Sequence, residues 1–317
     1  MNIELTKNNH FVWGYNNIPW STRTHLYDRF FSRYGKASSS YLRNPTSLRD
    51  ESINTAKLLA KKARDCGKIP MIFYSGGLDS ELVVTAFLES GENFSVGHLK
   101  YLPGYNQYDT HWVEKFSKKH NLDLKEYTVD SLKFLTDPST FNSAVKNNAR
   151  FVTTQFVAHL MDQVRDNYYP IIGNGEPYLF RENTDPNQPS RWFFKELEYM
   201  MVWYNHAVDN NIESCPGFFQ WSPEITLSFL LDPIIKNLTD NKFQGKITSR
   251  TSKYHMYNNA FPEYGFEIRR KFMGNETISK SLLNHINSKL TAYTFYDKNS
   301  SCSYEYNNFL KHHGYEN

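Results

Sequence analysis

"MIFYSGGLDSELVVTAFLES", residues 71–90, decides the fold. A short apolar run ends in a serine and two glycines, and a helical pattern follows at once with Asp79 and Ser80 at its start. Strand, tight turn and helix make the opening of a βα unit, and the glycine pair lets the main chain bend sharply and approach a ligand closely. In an open parallel sheet, ligands collect beyond the carboxyl ends of the strands, which is where residues 75–80 belong. Successive N–H groups there, together with the helix N-terminus, form a nest for an anion. Ser75 and Ser80 add hydroxyl donors. Asp79 conflicts with an anion unless a divalent cation joins the two, as Mg²⁺ on a phosphate oxygen would. The stretch therefore asks for a phosphate-bearing, magnesium-dependent ligand.

The neighbouring sequence repeats the same alternation. "SLRDESINTAKLLAKKARDCG", residues 47–67, carries a serine cap, acidic residues in its first turns, apolar positions at helical spacing and a terminal glycine. "NFSVGHLKYL" (93–102) and "LDLKEYTVD" (122–130) read as strands around a helix at 108–121, and helical patterns fill 138–166. "YYPIIGNG" (168–175) reads as a fourth strand. This predicts an α/β domain over residues 48–180, a parallel twisted sheet flanked by helices. Residues 1–47 form an aromatic-rich lead-in. After the polar loop "RENTDPNQPSR" (181–191), residues 181–317 are expected to form a mostly helical lobe, with helices at 192–210, 223–237 and 278–292.

Composition narrows the function classes. Hydrophobic residues at 39% and charged residues at 22% suit a globular chain rather than a disordered one. A net charge of +3, with no basic tail, gives no sign of a nucleic-acid arm and does not indicate a nucleic-acid partner. Three scattered cysteines exclude a disulfide framework and a cysteine-rich zinc site. With no leader in residues 1–20 and no apolar stretch of about 18 residues, a cytoplasmic location without membrane contact is expected.

Residues 75–80, Ser-Gly-Gly-Leu-Asp-Ser, resemble the pyrophosphate loop of the N-type ATP pyrophosphatases, which include asparagine synthetase, GMP synthetase, NAD synthetase and several tRNA-modifying enzymes. No Gly-x-x-x-x-Gly-Lys-Ser/Thr occurs, and Gly173 and Gly175 lack the third glycine of a dinucleotide fingerprint. The resemblance implies an adenine-nucleotide α-hydrolase-like fold, with ATP and Mg²⁺ as ligands and cleavage between the α and β phosphates. Ser75, Gly76, Gly77, Leu78, Asp79 and Ser80 would hold pyrophosphate, with Asp79 on the metal.

Other segments resemble asparagine synthetases in particular. Gly173, Asn174, Gly175 and Glu176 stand where that family has a Ser-Gly-Asp/Glu-Gly-x-Asp-Glu-Leu-Phe element. Leu179 and Phe180 match its end, but Asn174 replaces its first acid and Pro177-Tyr178 its acidic pair. Glu176 is the candidate to recover a metal or acceptor role. For the cation that meets charge rising on the α-phosphate, Lys271 in "GFEIRRKFMGNE" (265–276) comes first and Lys253 in "TSKYHMY" (251–257) second. By the same resemblance the adenine lies at the exit of the second strand, bound largely through main-chain groups near His98, Leu99 and Lys100, with Phe73 or Tyr74 beneath the loop.

The expected activity is an AMP-forming ligase that adenylates a carboxylate or similar oxygen of a small-molecule acceptor for transfer to an amine or ammonia. Asn2 occupies the place of the glutaminase cysteine of glutamine-dependent relatives, so free ammonia, an amine or a separate donor is expected to supply nitrogen. Two alternatives use the same loop: modification of a tRNA or DNA base, and non-catalytic nucleotide binding, the latter motivated by Pro177-Tyr178. Cys215 is the one loop cysteine available to sulfur-transfer chemistry.

Overall fold

The computed structural model describes residues 45–147, 149–181, 192–195, 200–239, 249–269, 278–292 and 303–305. Residues 1–44 of the lead-in and Lys271 lie outside these residues.

Helix α1 (Leu48–Asp65) begins where the sequence places its cap: the Ser47 side chain accepts the Asp50 N–H. It leads into β1 (Ile69–Phe73), which turns through residues 74–77 into α2 (Leu78–Ser90). Then follow β2 (Ser95–Leu102), α3 (Gln107–Lys119) and β3 (Leu124–Asp130). Two short helices, α4 (Ser131–Thr136) and α5 (Pro138–Lys146), precede α6 (Gln155–Val164) and β4 (Tyr168–Ile172). The four strands form one parallel sheet in the order β3-β2-β1-β4. β1 thus lies between β2, next in sequence, and β4, which arrives after a long crossover. The order reverses at β1, and the crevice at its carboxyl end is the switch point where such sheets bind ligands.

Alternation along β1 builds a three-layer domain. Ile72 and Tyr74 face a core with α1, α2 and Phe116 of α3, while Met71 and Phe73 face a second core with Phe156 and Leu160 of α6. Both cores are extended by the later chain. The first takes in Phe219, Ile225 and Tyr257; the second takes in Trp203, Ile286 and Leu290. Among the described residues no helix is long and apolar enough to cross a membrane.

The C-terminal part is largely helical, as expected, with α7 (Met200–Asp209), α8 (Pro223–Leu230), α9 (Pro233–Thr239), α10 (Ser249–Ala260) and α11 (Lys280–Thr291). Three details depart from the sequence reading. Residues 192–195, expected to be helical, form a strand β6 (Trp192–Lys195) between β5 (Tyr178–Arg181) and β7 (Ser303–Glu305) in an antiparallel sheet. The single helix expected over 223–237 is divided at Pro233, because a proline disfavours helical geometry at the residue before it. And α10, which carries Lys253, falls in a stretch that shows no helical stripe.

Candidate functional site

The bend between β1 and α2 is shaped by one position above all. Gly76 has φ +83°, and a Cβ there would lie 2.4 Å from the Asp109 carbonyl oxygen on α3. A side chain would have to move backbone. Gly76→Ala is therefore expected to cost about 3 kcal/mol in denaturant melts, from left-handed strain and overpacking together. A melt unchanged from wild type would show that the bend tolerates another geometry.

Within the bend the two serines bond to each other. The Ser80 hydroxyl accepts the Ser75 N–H at 3.2 Å and donates to the Gly77 carbonyl at 3.0 Å, with the two hydroxyl oxygens 3.0 Å apart. The Gly77 N–H makes only a long, 3.3 Å bond to the Ser75 hydroxyl. Gly77 is the N-cap of α2, and no side chain caps that helix. The first N–H groups of α2 accordingly have no partner within the helix, as at any helix start, and face the crevice with the positive end of the dipole. Asp79, in that first turn, is placed favourably by the dipole as well.

β4 closes the other side of the crevice. A Cβ on Gly173 would fall 2.7 Å from the Ser80 Cα, so glycine lets the exit of β4 lie directly on the first turn of α2. Residues beyond it are held from below: Cys215 pairs with β4 through two backbone bonds, and the Phe219 N–H donates to the Asn174 carbonyl at 3.2 Å. Gly175 turns the chain at φ +99° and delivers Glu176, buried, toward α10.

Helix α10 meets both walls. The Lys253 ammonium donates to Asp79 Oδ2 at 3.1 Å and to Glu176 Oε1 at 2.6 Å. The Tyr257 hydroxyl, one turn on, donates to Asp79 Oδ1 at 2.5 Å. Burial pushes Glu176 up to about 7, helped by the nearby Asp79 charge and opposed by Lys253. Burial opposes the charge on Lys253, but the two carboxylates outweigh it and hold the ammonium above its ordinary value. Burial also raises Tyr257, so it stays a phenol and a donor.

Magnesium can be tested against these groups. Among the described residues no cluster of three or more His, Cys, Asp or Glu side chains forms a metal site. Two carboxylates do converge, Asp79 and Glu176, and Glu176 Oε2 is buried with no hydrogen-bond partner. One or two carboxylates completed by phosphate oxygens is the usual protein contribution to Mg²⁺. Asp79 and Glu176 fit that role when a phosphate supplies the remaining ligands.

A second set of charges lies under the bend. Arg269 donates to the Gly76 carbonyl at 2.8 Å and to Glu81 Oε1 at 2.6 Å, and stacks on Trp112 at 4.4 Å. Tyr74 hydrogen-bonds Glu81 from below. Arg269 thus faces inward rather than toward the crevice.

The structure gathers some of the expected residues and disperses others. The six bend residues, Gly173, Asn174, Gly175, Glu176 and Lys253 come together. On β2 the side chains turn away. His98 is buried, bonded at 2.9 Å to both the Tyr74 carbonyl and the Thr110 hydroxyl, and burial pushes its pKa down. Leu99 and Phe73 sit in the second core, and Lys100 pairs with Glu114 and Glu126. Any contact from this strand to a ligand in the crevice would have to come from its main chain. Cys215 is fully buried, and burial raises its thiol, which removes the thiolate that sulfur chemistry requires. Glu224 stands in the first turn of α8 behind the Ser222 cap and Pro223, a helix-start acid favoured by the dipole.

Tyr257, Glu81 and Tyr74's link to Glu81 were not evident as site features. Glu81 lies within an apolar helix and Tyr257 in a polar one, so neither carries a local signal. No protein-family model matches the sequence, and no curated protein matches it.

Proposed function

We propose that the chain is an ATP-dependent, AMP-forming ligase of the asparagine-synthetase-like kind, adenylating a carboxylate or similar oxygen for transfer to an amine or ammonia. The observation that carries this reading is the meeting of Asp79, Glu176 and Lys253 at the uncapped start of α2. An anion nest, a paired-carboxylate cation site and a buried ammonium are the parts that αβ cleavage of ATP needs.

In this reading the β and γ phosphates lie on the 75–80 bend, competing for the long Gly77 N–H bond and the first N–H groups of α2. Bound Mg²⁺, held by Asp79 and Glu176, would neutralise phosphate charge. Attack by an acceptor oxygen on the α-phosphorus breaks the bond to the bridging oxygen, which leaves with its electron pair as part of pyrophosphate. In this reading Lys253 meets the charge rising on that phosphate, once phosphate oxygens compete with the carboxylates for it. An amine nitrogen then attacks the adenylated carbon, AMP departs, and the amine proton goes to solvent or a nearby base.

The test is ATP–pyrophosphate exchange driven by a panel of carboxylates, with AMP measured after addition of ammonia or amines. Exchange should appear with one class of carboxylate and require Mg²⁺. Tight ATP binding without αβ cleavage under every acceptor would select a non-catalytic nucleotide-binding protein instead.

A further inference from the structure

We propose that Arg269 is a positioning residue for the 75–80 bend: held between Glu81 and Trp112, it anchors the Gly76 carbonyl inward so that the Gly77 N–H and the open start of α2 face the ligand. This rests on the nucleotide reading above and adds a residue that never touches the nucleotide. Arg269 is 7% exposed and Glu81 2%, and an apolar pair of similar volume would avoid the desolvation that such a buried ion pair incurs. What an apolar pair cannot do is donate to Gly76. One Arg269 amino group makes that bond at 2.8 Å while the other engages the Glu81 carboxylate. The Tyr74 hydroxyl, which accepts a long 3.4 Å bond from Arg269, and the Trp112 face flank the guanidinium on two further sides.

The bond matters because of what it does to the next peptide. In a planar trans peptide the C=O and N–H point in opposite directions, so an inward Gly76 carbonyl aims the Gly77 N–H outward. Glycines at 76 and 77 impose little preference of their own between the two orientations. Consistent with this, the Gly77 N–H reaches the exposed Ser75 side chain. Arg269 also follows α10 closely in the chain, so the segment that brings Lys253 to one side of the bend anchors its underside.

Removing Arg269 alone leaves Glu81 charged and buried, so the single variant is expected to unfold. The decisive protein is the variant Arg269→Met/Glu81→Leu/Tyr74→Phe, which removes both charges together with the buried hydroxyl they satisfy. Thermal melts, calorimetric binding of Mg·ATP and of inorganic pyrophosphate, and amide hydrogen exchange at residues 76–79 of the free protein are compared with wild type. We expect a melting temperature close to wild type, binding at least tenfold weaker and bend amides exchanging at least tenfold faster. Wild-type affinity and wild-type exchange in that variant, stably folded, would overturn the proposal, leaving Arg269 as a neutraliser of Glu81 alone. Should the wild-type protein bind neither probe, the nucleotide reading falls, while the exchange rates still decide whether Arg269 orders the bend.

Discussion

Lys253→Met is expected to lower stability by about 1 kcal/mol more at pH 8 than at pH 5, because it strips the shared cation from two carboxylates, one of them buried. The loss should shrink as the pH falls. In the wild-type protein Glu176 already titrates near 7, above its ordinary 4.5. A carboxyl raised in the folded state binds its proton more tightly there than in the unfolded chain. Its unfavourable contribution is absent below the unfolded value and grows as pH rises through the folded one. Without Lys253, which opposes that rise, Glu176 moves higher still. The variant should therefore melt close to wild type at about pH 5 and fall away from it toward pH 8. A pH-independent difference would mean that Lys253 contributes packing and not charge.

The same substitution should reduce pyrophosphate release by about 10²–10³-fold when assayed at pH 7.5 and well below the variant's melting temperature. Stability and turnover thus separate by temperature. If turnover at that pH were unchanged, the cation meeting the α-phosphate would have to be sought elsewhere, beginning with Lys271.

How far the sequence itself led is seen best in these residues. The bend at 75–80, the strand before it and the helix after it were legible because each is specified locally: glycine where φ is positive, apolar residues at strand and helix spacing. The parallel sheet followed from the βα alternation. Lys253 was reachable only as one of several basic residues able to supply the cation that such chemistry needs. Its helix, "SRTSKYHMYNNA", is polar on most sides, and its partners stand 174 and 77 residues away in the chain. The Glu81–Arg269 pair spans 188 residues and had no local trace, since a lone acid in a helix ordinarily faces water. The small antiparallel sheet was missed for the same reason: its strands come from residues 178–181, 192–195 and 303–305, and strand pairing across such separations leaves no periodicity in any one window. Local geometry was readable; long-range charge pairing was not.

Asp79→Asn should separate metal dependence from folding in the opposite direction to Lys253→Met. The asparagine oxygen can still accept from Tyr257, and Lys253 keeps Glu176 as its remaining anion. A stability change within about 1 kcal/mol is expected at neutral pH, since one like charge beside Glu176 is removed along with one ion-pair partner. With the Asp79 charge gone, the second largest cause of the raised Glu176 value disappears, and Glu176 moves down toward 4.5. The fall in stability between about pH 5 and pH 8 should then be shallower than in wild type, whereas Lys253→Met steepens it. Function should respond far more than folding. An asparagine cannot supply the anionic oxygen that holds Mg²⁺, so calorimetry should find ATP binding that no longer strengthens with Mg²⁺. Pyrophosphate release should drop by about 10³-fold or more, with the melt intact. Full turnover with undiminished magnesium dependence in this variant would mean that the acid at the start of α2 serves the helix dipole alone, and that the ligand of the bend is not a metal-bound phosphate.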